Sequence, residues 1–237
     1  MSVQQPSTCI ILAGGLGTRL RSVVADRPKC LAPVGDRSFL EIQIATLAGA
    51  GVGSVVLSLG YLAEQVIAAL AGAAPPIPVR YVVERELLGT GGAVAHVLDT
   101  LGLDEVLVAN GDTYLSGDLS PMAPPLDRKG GELFRMAVVE VPDRVRFGGV
   151  QCNANGRVVG FLDKGCAGPG RINAGFYRLC RAALPAVGSG AYSLESNVLP
   201  QLVREQNVTA RPIDGQFIDI GVPADYQRFC TMQAGFP

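Results

Sequence analysis

The sequence predicts an α/β protein: a single doubly wound, mixed but mainly parallel sheet with helices on both faces, and further strands added in the second half. Three observations lead there. Short apolar runs of strand composition alternate with helix-period segments through the first half. The first such run passes straight into a glycine-rich loop, the place where open α/β sheets present ligand sites. The second half changes to short strand-like runs joined by turns.

Thr8–Ala13 reads as a buried strand. Ser38 begins a helix, because Glu41 stands in register to complete a capping box. Leu40, Ile44 and Leu47 line one face of that helix and Gly51 stops it. Ser54–Leu59 is a second strand, Leu62–Leu70 a helix and Pro78–Val83 a third strand. Thr90 is expected to cap a helix to about Leu101, and Glu105–Ala109 follows as a fourth strand. Later, Leu133–Val141, Gly148–Cys152, Arg157–Leu162 and Ile172–Tyr177 read as strands. Helices are expected over Leu179–Ala186 and Leu194–Glu205, a short strand near Phe217–Ile220, and a last helix from about Pro223. The chain is read as one domain over residues 1–237, with a first half at about 8–115 and a second at about 116–237. No internal repeat is present, so a C-terminal β-helix is not expected.

Composition narrows the function. Apolar residues make up 48%, enough for a sizeable core, and the net charge of −1 gives no basic surface for nucleic acid. No apolar run approaches the roughly 20 residues that cross a bilayer. Met1–Thr8 lacks a basic end followed by an apolar stretch, so no secretory leader is expected and the cytoplasm is the expected location. Cys9, Cys30, Cys152, Cys166, Cys180 and Cys230 are scattered, which argues against a zinc site or a disulfide framework. The single His96 lies in a helix and reads as structural.

The most informative stretch is Leu12-Ala13-Gly14-Gly15-Leu16-Gly17-Thr18-Arg19-Leu20, directly after the first strand. Glycines there let backbone N–H groups approach phosphate oxygens, and Arg19 adds a planar, permanently charged fork. Pro28-Lys29 supplies another cation in a constrained turn. The stretch lacks Gly-Lys-Ser/Thr, so it is not a P-loop, and its spacing is not that of a dinucleotide fingerprint.

Gly14-Gly15-x-Gly17-Thr18-Arg19-Leu20 followed by Pro28-Lys29 resembles the signature of sugar-1-phosphate nucleotidyltransferases. The resemblance runs on in order to about Tyr226, with one departure: Arg21-Ser22 stands where the family often has a proline. It implies a Rossmann-like fold with an added sugar-binding β region. Leu88-Gly89-Thr90-Gly91-Gly92-Ala93 resembles the segment that meets base and ribose, so Gly89, Thr90 and Gly92 join Leu12, Ala13, Gly14, Gly15, Gly17, Thr18, Arg19, Lys29 and Asp112 as expected nucleotide-binding residues. Phe147-Gly148, Asp163-Lys164, Asn173-Ala174-Gly175 and Ser193-Leu194-Glu195 resemble sugar-phosphate segments, which implies Gly148, Lys164, Asn173, Gly175 and Glu195. Asn110-Gly111-Asp112 and Ile218-Asp219-Ile220-Gly221 resemble the metal motifs, which implies Mg²⁺ on Asp112 and Asp219.

The implied reaction is attack of a sugar-1-phosphate oxygen on the α-phosphorus of a nucleoside triphosphate. The attacking phosphate, with a second pKa of about 6, is already ionised at neutral pH and needs no general base. The enzyme must supply alignment and charge neutralisation, with Arg19, Lys29, Asp112 and Lys164 as the expected catalytic groups. Arg21–Lys29, Leu31–Val34 and Ser38–Glu41 further resemble the D-glycero-α-D-manno-heptose 1-phosphate guanylyltransferases. That implies GTP and a heptose 1-phosphate, feeding a bacterial surface polysaccharide. Alternatives of the same fold are a mannose-1-phosphate guanylyltransferase or a UTP- or dTTP-dependent enzyme. An alternative of another class is a non-catalytic sugar-nucleotide-binding regulator. The resemblance also raises pairing with a second copy through the second-half strands or the last helix, which no residue pattern decides.

Overall fold

The structure is a computed structural model, which describes residues 7–15, 17, 20, 23–24, 26–185 and 190–234. The chain forms two compact units. The first holds residues up to Leu87, Ala109–Tyr114 and the segment from Phe217; the second holds Leu88–Val108 and Leu115–Gln216.

In chain order, the first elements are β1 (Thr8–Leu12), the small ribbon of β2 (Pro33–Val34) and β3 (Arg37–Ser38), α1 (Phe39–Gly49), β4 (Ser54–Leu59), α2 (Ala63–Ala71) and β5 (Val79–Val83). Then come α3 (Gly89–Leu101), β6 (Glu105–Asn110), β7 (Thr113–Leu115), β8 (Phe134–Val141), β9 (Gly149–Cys152), β10 (Val158–Leu162) and β11 (Gly170–Cys180). The chain closes with α4 (Leu199–Arg204), β12 (Val208–Pro212), β13 (Phe217–Asp219) and α5 (Pro223–Ala234). A seven-stranded sheet runs in the order β12-β8-β11-β6-β1-β4-β5. β4 pairs parallel with both β1 and β5, β12 pairs parallel with β8, and β11 is antiparallel to β8. Because β4 and β5 follow β1 on one side while β6 lies on the other, the strand order reverses at β1 and β6. Ligands of open α/β sheets bind at such a reversal, beyond the strand carboxyl ends.

Local signals set several boundaries as expected. The capping box at Ser38 forms in both directions, with Glu41 N–H donating to Ser38 Oγ and Ser38 N–H donating to Glu41 Oε2. Gly51 ends α1 with φ +85°. In the first unit, Leu20, Val34, Phe39, Ile42, Ile218, Ile220, Tyr226 and Phe229 share one buried cluster, and the Phe39 and Phe229 rings meet edge-on at 5.2 Å. That cluster packs α5 and the end of β13 against α1.

Four expectations change. The helix expected over Leu179–Ala186 does not form in its described residues: β11 continues to Cys180, with Leu179 opposite Phe134, and Arg181–Ala183 makes a 3₁₀ turn, while Ala186 lies outside the described residues. The run Phe176–Cys180 is buried on both faces, so it lacks the alternation that marks a half-exposed strand. Thr90 does not cap α3; Leu88 is the N-cap residue, with no side-chain cap. Leu194–Glu205 is not a single α-helix but a π turn over Leu194–Val198 followed by α4. Pro200, in the first turn of α4, has no N–H to continue a ladder from the preceding turn. Finally, no element is expected over Val208–Pro212, yet β12 forms there and pairs residue by residue with β8; the run is short and ends in a proline, which suits only a strand's end or edge.

Candidate active site

In the first unit, the chain leaves β1 through Ala13, whose N–H donates to Ser58 O at 2.9 Å. Gly14 then lies so close to β4's exit that a Cβ would stand 3.1 Å from both Gly60 N and Glu84 Oε1. Gly17 has φ +59°, a conformation glycine takes without strain. Gly15 is exposed with open space around its Cβ position. Gly111 N–H donates to Leu12 O at 3.0 Å, which ties the turn after β6 to the end of β1; a Cβ there would lie 2.3 Å from that oxygen. Thr18 and Arg19 lie outside the described residues, as does Leu16.

Lys29, Asp112 and Asp219, far apart in the chain, meet in this unit. Lys29 opens a 3₁₀ turn after Pro28, and its Nζ donates to Asp112 Oδ2 at 2.5 Å. β7 and β13 form a two-stranded ribbon, and Ile220 N–H donates to Asp112 O at 2.9 Å. This ribbon brings the two aspartates to one place. Asp219 Oδ1 accepts from Gly221 N–H at 2.7 Å. Both Asp219 Oδ1 and Lys29 Nζ come within 3.1 Å of the point a Cβ on Gly221 would occupy, so that glycine keeps the space between them clear. The donor set fits a hard divalent cation, which takes one or two carboxylates and completes its shell with phosphate oxygens and water. Among the described residues no cluster of three or more His, Cys, Asp or Glu gathers to cage a metal without substrate.

Sequence reasoning overlooked Glu84. It follows β5, and its Oε1 accepts from Ser58 Oγ at 3.0 Å while lying against Gly14. Its place at a strand's carboxyl end was the available signal.

In the second unit, Gly89, Thr90 and Gly92 form the start of α3. Thr90 Oγ1 donates to Glu195 Oε2 at 2.8 Å, which brings the expected base segment and the expected sugar residue together. Asn173 Nδ2 donates to Tyr177 Oη at 2.8 Å and Asn173 Oδ1 accepts from Gly175 N–H at 2.9 Å, so both ends of that amide are engaged within β11. Gly148, at φ +77°, passes Leu162 O so closely that a Cβ would lie 2.5 Å away. Gly165 N–H donates to Val145 O at 2.8 Å. The Phe147-Gly148 segment therefore runs beside the exposed Asp163-Lys164 turn. No described helix is long and apolar enough to cross a membrane.

Known proteins resemble this chain. D-glycero-α-D-manno-heptose 1-phosphate guanylyltransferase of Campylobacter jejuni is 33% identical over 93% of this chain and 97% of its own length. The protein of the same description from Aneurinibacillus thermoaerophilus is 34% identical over 92% of this chain and 95% of its own length. The crystal structure of HddC from Yersinia pseudotuberculosis complexed with GMP-PN superposes with a TM-score of 0.83 at 32% identity, covering 96% of this chain and 99% of that one. The nucleotidyl transferase family model matches residues 8–230, and with the glycine loop and paired aspartates in place, the chain belongs to that family.

Proposed function

We propose that this chain transfers the guanylyl unit of GTP to D-glycero-α-D-manno-heptose 1-phosphate, giving GDP-heptose and pyrophosphate for a bacterial surface polysaccharide. The meeting of Lys29, Asp112 and Asp219 beside the glycine loop carries this reading. The similarity to two proteins described as heptose 1-phosphate guanylyltransferases supports the choice of substrate.

In this reading the open backbone at Gly15, with Gly14 and Gly17, receives the triphosphate. Lys29, with Arg19, offsets the charge on the phosphates that leave as pyrophosphate. An oxygen of the sugar phosphate forms the new bond to the α-phosphorus, and the bond from that phosphorus to the β-bridging oxygen breaks. Lys164 holds the attacking phosphate, Gly148 brings backbone close to the sugar, and Glu195 accepts from a sugar hydroxyl. Asp112 and Asp219 would hold Mg²⁺, which supplies charge neutralisation and polarises the α-phosphate. Glu84 favours guanine, because a carboxylate accepts from the N1–H and 2-amino donors that guanine presents side by side. The enzyme works in the cytoplasm, where its substrates are made.

The test is pyrophosphate release from purified protein given each of four nucleoside triphosphates with heptose, mannose and glucose 1-phosphates. GTP with the heptose should be fastest. Preference for UTP or dTTP overturns the guanylyl assignment, preference for mannose 1-phosphate overturns the heptose, and GTP binding without turnover of any pair makes the protein a regulator.

A further inference from the structure

The Thr90 hydroxyl sits at the centre of a bracket inside the second unit. It donates to Glu195 Oε2 and accepts the N–H of Leu194, each at 2.8 Å. The same carboxylate accepts from Ser193 Oγ at 2.9 Å on Oε2 and from Tyr177 Oη at 3.4 Å on Oε1. Backbone bonds run alongside: Tyr192 N–H donates to Leu88 O, and Gly91 N–H donates to Tyr192 O, both at 2.9 Å. A Cβ at Gly89 would stand 2.5 Å from Tyr192 O, and one at Gly91 2.5 Å from the Tyr192 ring. Gly89 and Gly91 are therefore required by Tyr192, whatever else approaches them. The bracket ends in the π turn over Leu194–Val198, a geometry that concentrates at functional sites.

We infer that Thr90 is a positioning residue for the sugar substrate, orienting the Glu195 carboxylate and tying it to the start of α3. The inference rests on the reading above that Glu195 accepts from a sugar hydroxyl. A carboxylate offers about four acceptor sites, and Thr90, Ser193 and Tyr177 together take three. The direction left for substrate is thus set by the chain rather than by a freely rotating side chain. Since one hydroxyl serves both Glu195 and the Leu194 amide, its removal disturbs the carboxylate and the backbone that carries it.

Thr90→Val removes the hydroxyl and keeps the branched shape; Thr90→Ser keeps the hydroxyl. Thr90→Val should raise KM for the sugar 1-phosphate by about ten-fold or more while KM for GTP stays within about two-fold. Thr90→Ser should stay within about two-fold of wild type on both. The Thr90→Val/Glu195→Gln pair should lose less than the two single losses combined, because both variants break one contact. A rise confined to KM for GTP would make Thr90 a nucleotide ligand and overturn the inference, as would additive losses. Hydrogen exchange on the intact chain gives a readout free of turnover. The Leu194 amide should exchange faster in Thr90→Val and at the wild-type rate in Thr90→Ser; equal protection in Thr90→Val sinks the bracket. If wild type transfers nothing from GTP to any sugar 1-phosphate, the sugar role falls with the functional reading, while amide exchange still decides the bracket.

Discussion

Lys29 approaches Asp112 to 2.5 Å, and Arg135 approaches Glu132 to 2.6 Å, yet the two pairs live in different surroundings. The Lys29 and Asp112 side chains keep 14% and 32% of their exposure; Arg135 and Glu132 keep 4% and 3%. Glu132 takes both Nε and Nη2 of Arg135, the Thr209 hydroxyl and the Asp127 N–H, while Arg135 also donates to the carbonyls of Pro124 and Pro125. That pair is saturated within the chain and joins β8 to β12. The Lys29 ammonium donates one hydrogen bond among the described residues, to Asp112, so it keeps donors for an incoming phosphate. Distance alone does not separate a structural pair from a working one; burial and the number of committed donors do.

Substitution tests the contrast directly. Asp112→Ala should lower kcat/KM by a factor on the order of 10²–10³ or more, and Lys29→Ala similarly, with far-UV circular dichroism and Tm near wild type. Excess chelator should abolish turnover, and added Mg²⁺ should restore it. Full activity in chelator would remove the metal from the mechanism. Glu132→Ala should instead cost about 3–5 kcal/mol of stability in urea unfolding, because it strands a buried guanidinium. If Glu132→Ala unfolded normally and Asp112→Ala collapsed the fold, the contrast would be inverted.

Smaller effects sharpen the same picture. Gly91→Ala places a methyl against the Tyr192 ring and should cost about 1–3 kcal/mol, read as a lowered Tm. Glu132 and Glu41 should contribute to the pH dependence of stability, beside Asp118, which the Ser120 hydrogen bonds also hold low. Burial opposes charge on Glu132, but the Arg135, Thr209 and Asp127 hydrogen bonds outweigh it and hold its pKa below the ordinary value. The Ser38 side-chain and backbone hydrogen bonds hold Glu41 low as well. Both contributions are complete above the unfolded carboxylate pKa of about 4.3 and fade as pH falls through the depressed folded values. A Tm flat from pH 7 to about 5 and falling below that is expected; Glu132→Gln should flatten the acid limb more than Glu41→Gln.

The legibility of each feature tracks its range along the chain. The capping box at Ser38, the glycine loop after β1 and the strand-end position of Asp112 are local patterns, and all were readable. Thr90 was misread as a cap because its actual partner, Glu195, lies 105 positions away. β12 was missed because it is a five-residue run ending in proline, fixed by its pairing with the distant β8 and not by a pattern of its own. Glu84 carried no motif of its own beyond its place after β5; the approach of its Oε1 to Gly14 shows that it borders the loop.

The order of residues by itself determined the alternation of strands and helices, the glycines at the strand ends and which cations and carboxylates were available, since each depends on neighbours a few positions apart. Tertiary structure alone decided that the β7–β13 ribbon brings Asp112 and Asp219 to one place, and that Tyr192 demands glycine at positions 89 and 91. Those outcomes are contacts between segments distant in the chain, fixed by packing and backbone pairing that no local pattern encodes.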